Sequence, residues 1–276
     1  MKTNLSYIVS ALALSFAVSS CTKKFEPSSY APALNIGGYS SSKQVASANL
    51  IAQWSFDDST IDSVSKTAGT PTGTSFSAGV KGKALQVAAN GYVVSNTPTD
   101  VQNLKSFTTM LWFKSDLNTV ATGLIDIANS AAGWGNLTIF LENGGDATKG
   151  LIKFHINSNS KEAWSEVYTV PSPWKKWNHL ALSYNQATSD FTLYLNGSKI
   201  GNALNVPNYG PITFQNAAKM VFGTLQFQTT PSLSTTAGKE SWAGSLIGQL
   251  DEVKIFNKAL TVDEISSITK LEGRGK

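Results

Sequence analysis

Glu162 and Glu166 stand four residues apart around Trp164 in Glu162-Ala163-Trp164-Ser165-Glu166, so an extended strand turns all three side chains to one face. Two acids flanking a bond are what glycoside hydrolysis requires. At this spacing their Cα atoms lie about 13 Å apart, beyond the ~5–9.5 Å between carboxyl groups that retaining or inverting hydrolysis uses. Nucleophilic catalysis has no better footing. The only histidines are His155 and His179, the sole cysteine is Cys21, and no Gly-x-Ser-x-Gly elbow, phosphate-binding glycine loop with its Lys or histidine cluster for zinc is present. The residues read as a binding face, and the chain as a non-enzyme.

That face takes shape when the preceding strand is added. In Leu151–Asn157 (LIKFHIN), Ile152, Phe154 and Ile156 alternate with Lys153, His155 and Asn157. A turn at Ser158–Lys161 sets Asn157 opposite Glu162, His155 opposite Trp164 and Lys153 opposite Glu166, while Ile156, Phe154 and Ile152 meet Ala163, Ser165 and Val167. Lys153, His155, Asn157, Glu162, Trp164, Glu166 and Tyr168 then share the polar face. An aromatic ring among amides, carboxylates and imidazole suits a sugar, whose apolar face stacks while its hydroxyls hydrogen-bond. The plainer alternative is a loop-covered Trp164 beside an ordinary Lys153–Glu166 surface pair. Trp134, between Gly133 and Gly135, either grips a ligand or plugs one end of the fold, and Trp242 is similarly open to both readings.

The elements that must position these residues are short strands. Expected strands are Leu50–Phe56, Ala84–Val87, Tyr92–Ser95, Phe107–Phe113, Thr122–Ala128, Leu137–Leu141, Ala163–Val170, His179–Tyr184, Lys219–Gly223 and Gly248–Phe256. Phe191–Leu195 ends at Asn196-Gly197, a hairpin signal. Helix is expected only near the end, as a short turn opened by the capping box of Thr261 and Glu264. Many strands and one helical turn give an all-β antiparallel sandwich.

The ends fix the setting. Residues 1–20 read as a secretory signal: one Lys, then an apolar run from Tyr7 to Val18 that is too short to span a membrane and closes on Ser19-Ser20. Val18-Ser19-Ser20-Cys21 resembles a bacterial lipobox, which implies a lipid on Cys21 and attachment to a membrane; ordinary cleavage leaving a free thiol is the alternative. Residues 21–47 read as a flexible tether and 48–276 as one domain. The net charge of +4 comes from scattered Lys with Asp and Glu interspersed, which leaves no basic stripe for nucleic acid.

Four segments in order resemble the laminin-G-like, concanavalin A-like jelly roll found on lipoproteins of Bacteroidetes-type bacteria. They are Trp54-Ser55-Phe56-Asp57 with Gly79 to Leu85, Ser106 to Phe113, Trp177 to Leu182 with Leu193 to Gly197, and Leu250 to Phe256 followed by Ala259-Leu260 and Glu264. The resemblance implies a two-sheet jelly-roll sandwich. Asp251 shares strand parity with Val253 and Ile255, so the sheet that buries those two buries its carboxylate as well; the resemblance implies a structural calcium ion near this closing strand, with Asp57 and Asp62 as further oxygen ligands. Otherwise Asp251 accepts backbone N–H bonds and Asp57 shapes a turn. The glycosidases of this fold carry an acid where Trp164 stands. The expected function is a lipid-anchored protein of the cell envelope, at the outer membrane on its periplasmic or surface side, that captures a polysaccharide or oligosaccharide on the concave sheet. The alternative is an adhesion or structural module for a protein partner.

Overall fold

Alternating apolar and polar residues become antiparallel ladders in a computed structural model that describes residues 34–276. The signal segment, Cys21 and the first part of the expected tether lie outside the described residues. In chain order come β1 (Leu50–Trp54), β2 (Gly69–Ala78), β3 (Lys83–Asn96), helix α1 (Thr99–Gln102), β4 (Asn103–Leu104) and β5 (Phe107–Ser115). Next are β6 (Ala121–Ile127), β7 (Leu137–Leu141), β8 (Lys149–Ser158), β9 (Lys161–Trp164), β10 (Tyr168–Pro171) and β11 (Asn178–Asn185). The chain continues through β12 (Asp190–Leu195), β13 (Ser198–Lys199), β14 (Leu204–Asn205), β15 (Ile212–Thr213) and β16 (Lys219–Phe222). It closes with β17 (Ala243–Gly244), β18 (Gly248–Phe256) and helix α2 (Val262–Glu272).

The main ladder runs β10-β8-β7-β6-β16-β3-β18-β5-β11-β12-β13 and folds over at β3. The first half of β3 pairs with β18 (Leu85 opposite Leu250) and the second with β16 (Val94 opposite Val221), and Asn90 between them takes a positive φ. Such a bend lets one strand serve two layers. Side chains facing inward from both layers make the core. Trp54 of β1 meets Phe222 of β16 at 4.9 Å, and Phe154 of β8 meets Phe191 of β12 at 6.1 Å. This is the expected antiparallel jelly-roll sandwich.

Several local expectations hold for local reasons. Asn196 and Gly197 both adopt positive φ in the β12–β13 hairpin. Glu264 N donates to Thr261 Oγ1 (3.2 Å) and Thr261 N to Glu264 Oε2 (2.8 Å), but the helix they open runs 11 residues rather than a single turn. Ala84–Val87 and Tyr92–Ser95 are one strand, and β2 has no apolar alternation to announce it because it is a Thr- and Ser-rich edge.

The boundary at residue 48 moves earlier. Ile36 bridges Tyr39, Ser41 caps a 3-10 turn over Ser42–Gln44, and Val45 is buried. Ser42 Oγ donates to the Lys276 carbonyl (2.9 Å), and Gly37 lies so close to α2 that a Cβ would meet Ser267 Oγ at 2.3 Å. Residues 35–47 therefore belong to the folded unit, because small residues let this segment lie flat against the terminal helix.

Candidate functional site

Register places one row of side chains on the outer face of the β16-β6-β7-β8-β9 layer. Val221, Asp126, Thr138, His155 and Trp164 are successive cross-strand partners, so all point away from the core. Only the end of the row is open: Asp126, Thr138 and His155 are buried, whereas Trp164 is exposed. The cover consists of two loops, 128–136 and 224–242.

Polar groups of the covered row fasten those loops. Asp126 Oδ2 accepts from Gln226 N (2.8 Å) and Oδ1 from Thr138 Oγ1 (3.1 Å). Burial pushes its carboxyl up to about 7 against these two bonds. Gly135 is obligatory beside it, since a Cβ there would meet Asp126 Oδ1 at 1.7 Å. Gln226 ties the loops together: Oε1 accepts from Asn129 N (2.7 Å), and Nε2 donates to Ala132 O (2.6 Å) and Gly133 O (2.9 Å). Gln228 Nε2 similarly donates to Glu240 O (2.6 Å) and Ala243 O (3.0 Å), which fixes the segment carrying Trp242.

Trp134, Trp164 and Trp242 are thereby gathered from three places in the chain. The Trp134 ring stands 4.9 Å from Trp164 at 88° and 5.9 Å from Trp242 at 29°, with Phe140 (5.4 Å) and Phe227 (5.5 Å) beneath. Trp164 is 36% and Trp242 41% exposed, so the cluster presents aromatic surface to solvent. Gly133, Trp134, Phe227, Ala237, Glu240 and Trp242 line a depression of about 90 Å³. Lys153 Nζ sits 5.1 Å from the Trp164 ring centre and pairs with Glu142 at 3.5 Å.

His155 lies under Trp164 (ring centres 4.3 Å), its Nε2 2.9 Å from Glu162 Oε1, while Nδ1 faces the Gly135 backbone short of full hydrogen-bond geometry. Burial holds the imidazole below its ordinary value, partly offset by Glu162. The ring is buried and packs against the inner side of Trp164. Glu162 is exposed and Asn157 half-buried at the rim.

The expected register holds from Asn157–Glu162 through His155–Trp164 to Ser165, whose N still donates to Phe154 O (3.0 Å), and then breaks. Glu166 and Val167 leave the ladder, and the chain rejoins with Tyr168, not Val167, opposite Ile152. A one-residue slip reverses the faces. Tyr168 therefore points into the core, stacks on Phe154 at 6.3 Å and donates to Asn202 O (2.9 Å). Glu166 turns to Asn202 N (3.2 Å), so the expected Lys153–Glu166 pair is replaced by Lys153–Glu142. Neither Tyr168 nor Glu166 belongs to the aromatic face. Nor do Glu162 and Glu166 form a hydrolytic pair, because they face different surroundings.

The three aspartates do not converge. Asp62 accepts from the backbone N–H groups of Gln53 (2.7 Å), Val64 (3.0 Å) and Ser65 (3.0 Å), and Asp57 from Lys83 N (2.7 Å). Asp251 accepts from Val80 N (2.8 Å) and Lys81 N (3.2 Å), leaving Oδ1 as a buried oxygen without a partner. Its inward parity is also broken. A bulge at Glu252, which has a positive φ, puts Asp251 opposite Trp112 while Val253 and Ile255 face the core. Burial, reinforced by Glu252, raises its carboxyl to about 7. Among the described residues no group of three or more His, Cys, Asp or Glu is placed to hold a metal ion, and Asp57, Asp62 and Asp251 each accept from backbone N–H groups of different segments.

Sequence reasoning passed over Phe227 and Glu240 and left Trp242 open. They adjoin Trp134 only through the fold of the 224–242 loop, and their neighbours in sequence carry no periodic signal.

Comparison with known proteins places this geometry. Residues 87–266 match the Laminin_G_3 family model of the concanavalin A-like lectin/glucanases superfamily. The chain is 25% identical over 194 residues to Sialidase B of Streptococcus pneumoniae serotype 4, a match covering 64% of this chain and 25% of the sialidase. The chain thus spans about a quarter of the length of that relative. Among solved structures, domain 4 of an extracellular GH43 arabinanase of Geobacillus stearothermophilus, in complex with arabinotriose, superposes with a TM-score of 0.52 at 20% identity, covering 80% of this chain and 98% of that domain. The binding domain of botulinum neurotoxin DC in complex with SialylT gives 0.57 at 12% identity, covering 83% of this chain and 52% of that one. These structural likenesses establish the fold.

Proposed function

We propose, from the premise that this chain belongs to the concanavalin A-like lectin/glucanases superfamily, that it is a non-catalytic carbohydrate-binding protein holding a glycan on its Trp134, Trp164 and Trp242 face. The observation that carries the reading is the exposure of two of these rings on a pinned frame. A soluble domain buries tryptophan where it can, and aromatic surface left open beside polar groups marks a recognition site. Glu162, Glu240 and the Lys153–Glu142 pair supply hydrogen-bonding groups at its rim. Solved structures of similar fold in complex with arabinotriose and with SialylT support the ligand class. The lipobox-like Val18 to Cys21 supports a lipid anchor on Cys21 and a place in the cell envelope at the outer membrane.

The test is calorimetry of the full chain in a sugar-free detergent against a polysaccharide panel, with and without a calcium chelator, alongside Trp164→Ala. Saturable binding that weakens at least about tenfold in the variant, equivalent to 1.4 kcal/mol, is expected; the chelator leaves it unchanged. Silence of the folded protein across the panel transfers the reading to a protein partner.

A further inference from the structure

A second concavity lies on the same outer face. Ladder partners continue the Trp164 row past Val221 to Val94 of β3 and Thr70 of β2, so Thr70 and Trp164 face the same way. Beyond the 224–242 loop this face holds a pocket of about 290 Å³, close to the lower bound of ~300 Å³ for small-molecule sites. The loop is the partition. Thr229 to Leu233 wall the pocket, while Ala237 to Trp242 wall the aromatic depression.

The pocket is preformed and its chemistry is one-sided. Tyr92 OH accepts from Thr230 N (3.0 Å) and donates to Thr230 O (3.3 Å), and Thr229 Oγ1 donates to Pro231 O (2.8 Å), so the wall is fixed before any ligand arrives. Pro231, Leu233 and Val94 give an apolar side. Lys219 Nζ, Asn96 Nδ2 and the Thr70 and Thr230 hydroxyls give donors, and no carboxylate lines the space. Lys219 contacts Asn96 Oδ1, and among the described residues no acidic side chain lies within 4.0 Å of it. A cation with hydroxyl and amide donors, set against an apolar wall in a space the size of one ring, complements a sugar that carries a carboxylate.

We infer that this pocket is a subsite for an acidic sugar residue of the same glycan whose other residues rest on Trp164 and Trp242. The inference rests on the glycan-binding reading. From Trp164 on β9 to the pocket at β16 and β3 is roughly 20 Å at ~4.8 Å per strand, so an oligosaccharide, not a monosaccharide, reaches both niches.

The experiment compares galacturonate, glucuronate and N-acetylneuraminate oligosaccharides with carboxyl-reduced neutral counterparts of equal length, using the full chain and its Lys219→Met and Trp164→Ala variants. At least one acidic ligand is expected to bind about tenfold or more tightly than its neutral partner. Lys219→Met abolishes that preference but leaves neutral affinity in place, about 0.5 M salt shrinks it, and Trp164→Ala weakens both members of a pair in proportion. Amide shifts of Asn96 and Thr230 on adding the free acidic monosaccharide locate the contact. Equal affinity within every pair, or a preference that survives Lys219→Met, overturns the subsite while leaving glycan binding intact. Inorganic phosphate binding as well as the acidic monosaccharide overturns it in favour of a general anion site. Failure of every saccharide with a folded chain overturns both readings, whereas acidic-monosaccharide shifts without any effect of Trp164→Ala keep the acidic-sugar pocket and overturn the aromatic platform together with the shared glycan.

Discussion

The two layers of the sandwich finish their outer faces in different ways. On the β18-β5-β11 layer, α2 lies across the strands and buries Ile265, Ile268 and Leu271. Beneath it Lys254 pairs with both Glu252 and Glu272, Trp112 Nε1 donates to Glu272 Oε2 (2.8 Å), and His179 Nδ1 lies 2.9 Å from Thr269 Oγ1. On the β6-β7-β8 layer two loops do the covering and stop short, leaving Trp164 and Trp242 in water. A helix offers a continuous apolar stripe and seals what it covers; loops held by side chains such as Gln226 stop where their hydrogen bonds stop. The first face is therefore sealed, while the second leaves aromatic surface open for the recognition proposed above. Yet each buries one carboxylate raised to about 7, Asp251 and Asp126, and one imidazole below its ordinary value, His179 and His155.

The sharpest way to break this contrast is Glu272→Ala on the sealed face. It takes from Lys254 one of its two carboxylates, leaving Glu252, and from Trp112 Nε1 its acceptor, and is expected to cost about 1–3 kcal/mol because a buried N–H is left unsatisfied. Urea unfolding measures the loss, and glycan affinity of the folded fraction should not move. If affinity falls in step, the two faces are not independent.

The buried aspartates come next. A carboxyl whose folded pKa is raised favours folding below its unfolded value of about 4 and loses that contribution as pH climbs through about 7. His155 and His179 work oppositely: their stability is present above about 6.5, the unfolded value, and is lost as pH falls, for His179 down to about 3. Between these limits the slopes oppose each other. Asp126→Asn keeps an acceptor for Gln226 N and removes one carboxyl, so stability followed from pH 4.5 to 7 should rise more steeply with pH than in the parent, by order 1 kcal/mol per unit. An unchanged slope would mean that Asp126 is ionised in the fold.

Gly135→Ala forces the loop away from Asp126 and is expected to cost about 1–3 kcal/mol. It also displaces Trp134, so it should weaken glycan binding together with stability. Smallest in stability is Trp164→Ala, expected below about 1 kcal/mol for a half-open side chain, although its effect on affinity is the largest in the series. A large stability loss there would make Trp164 a core residue and return the open face to the plainer reading.

Much of the frame was legible because its signals are local. Phe154 and Ile156 alternate with His155, Asn196-Gly197 admits positive φ, and Thr261 and Glu264 lie one turn apart, so short-range sterics and hydrogen bonds settle them. The candidate site was legible up to Trp164, where register follows from one turn. Just past it, the excursion at Glu166 and Val167 sends Tyr168 inward, and nothing in the alternation of those residues foretells an insertion. Asp251 shows the same failure: its burial was foreseen, but the bulge at Glu252 changes its surroundings, and Val80 and Lys81 supply its donors.

Which side chains are apolar, and at what period, is written in the chain, and from it follow strands that close into a sandwich with a capped terminal helix. The candidate site is set by contacts between distant segments. Asn129 and Gln226 are 97 residues apart, and the hydrogen bonds between them bring Trp134, Trp242 and Trp164 together while parting the Lys219 pocket from the rings. Loop placement of that kind depends on partners distant in the chain, whereas period and capping depend on neighbours within a few residues.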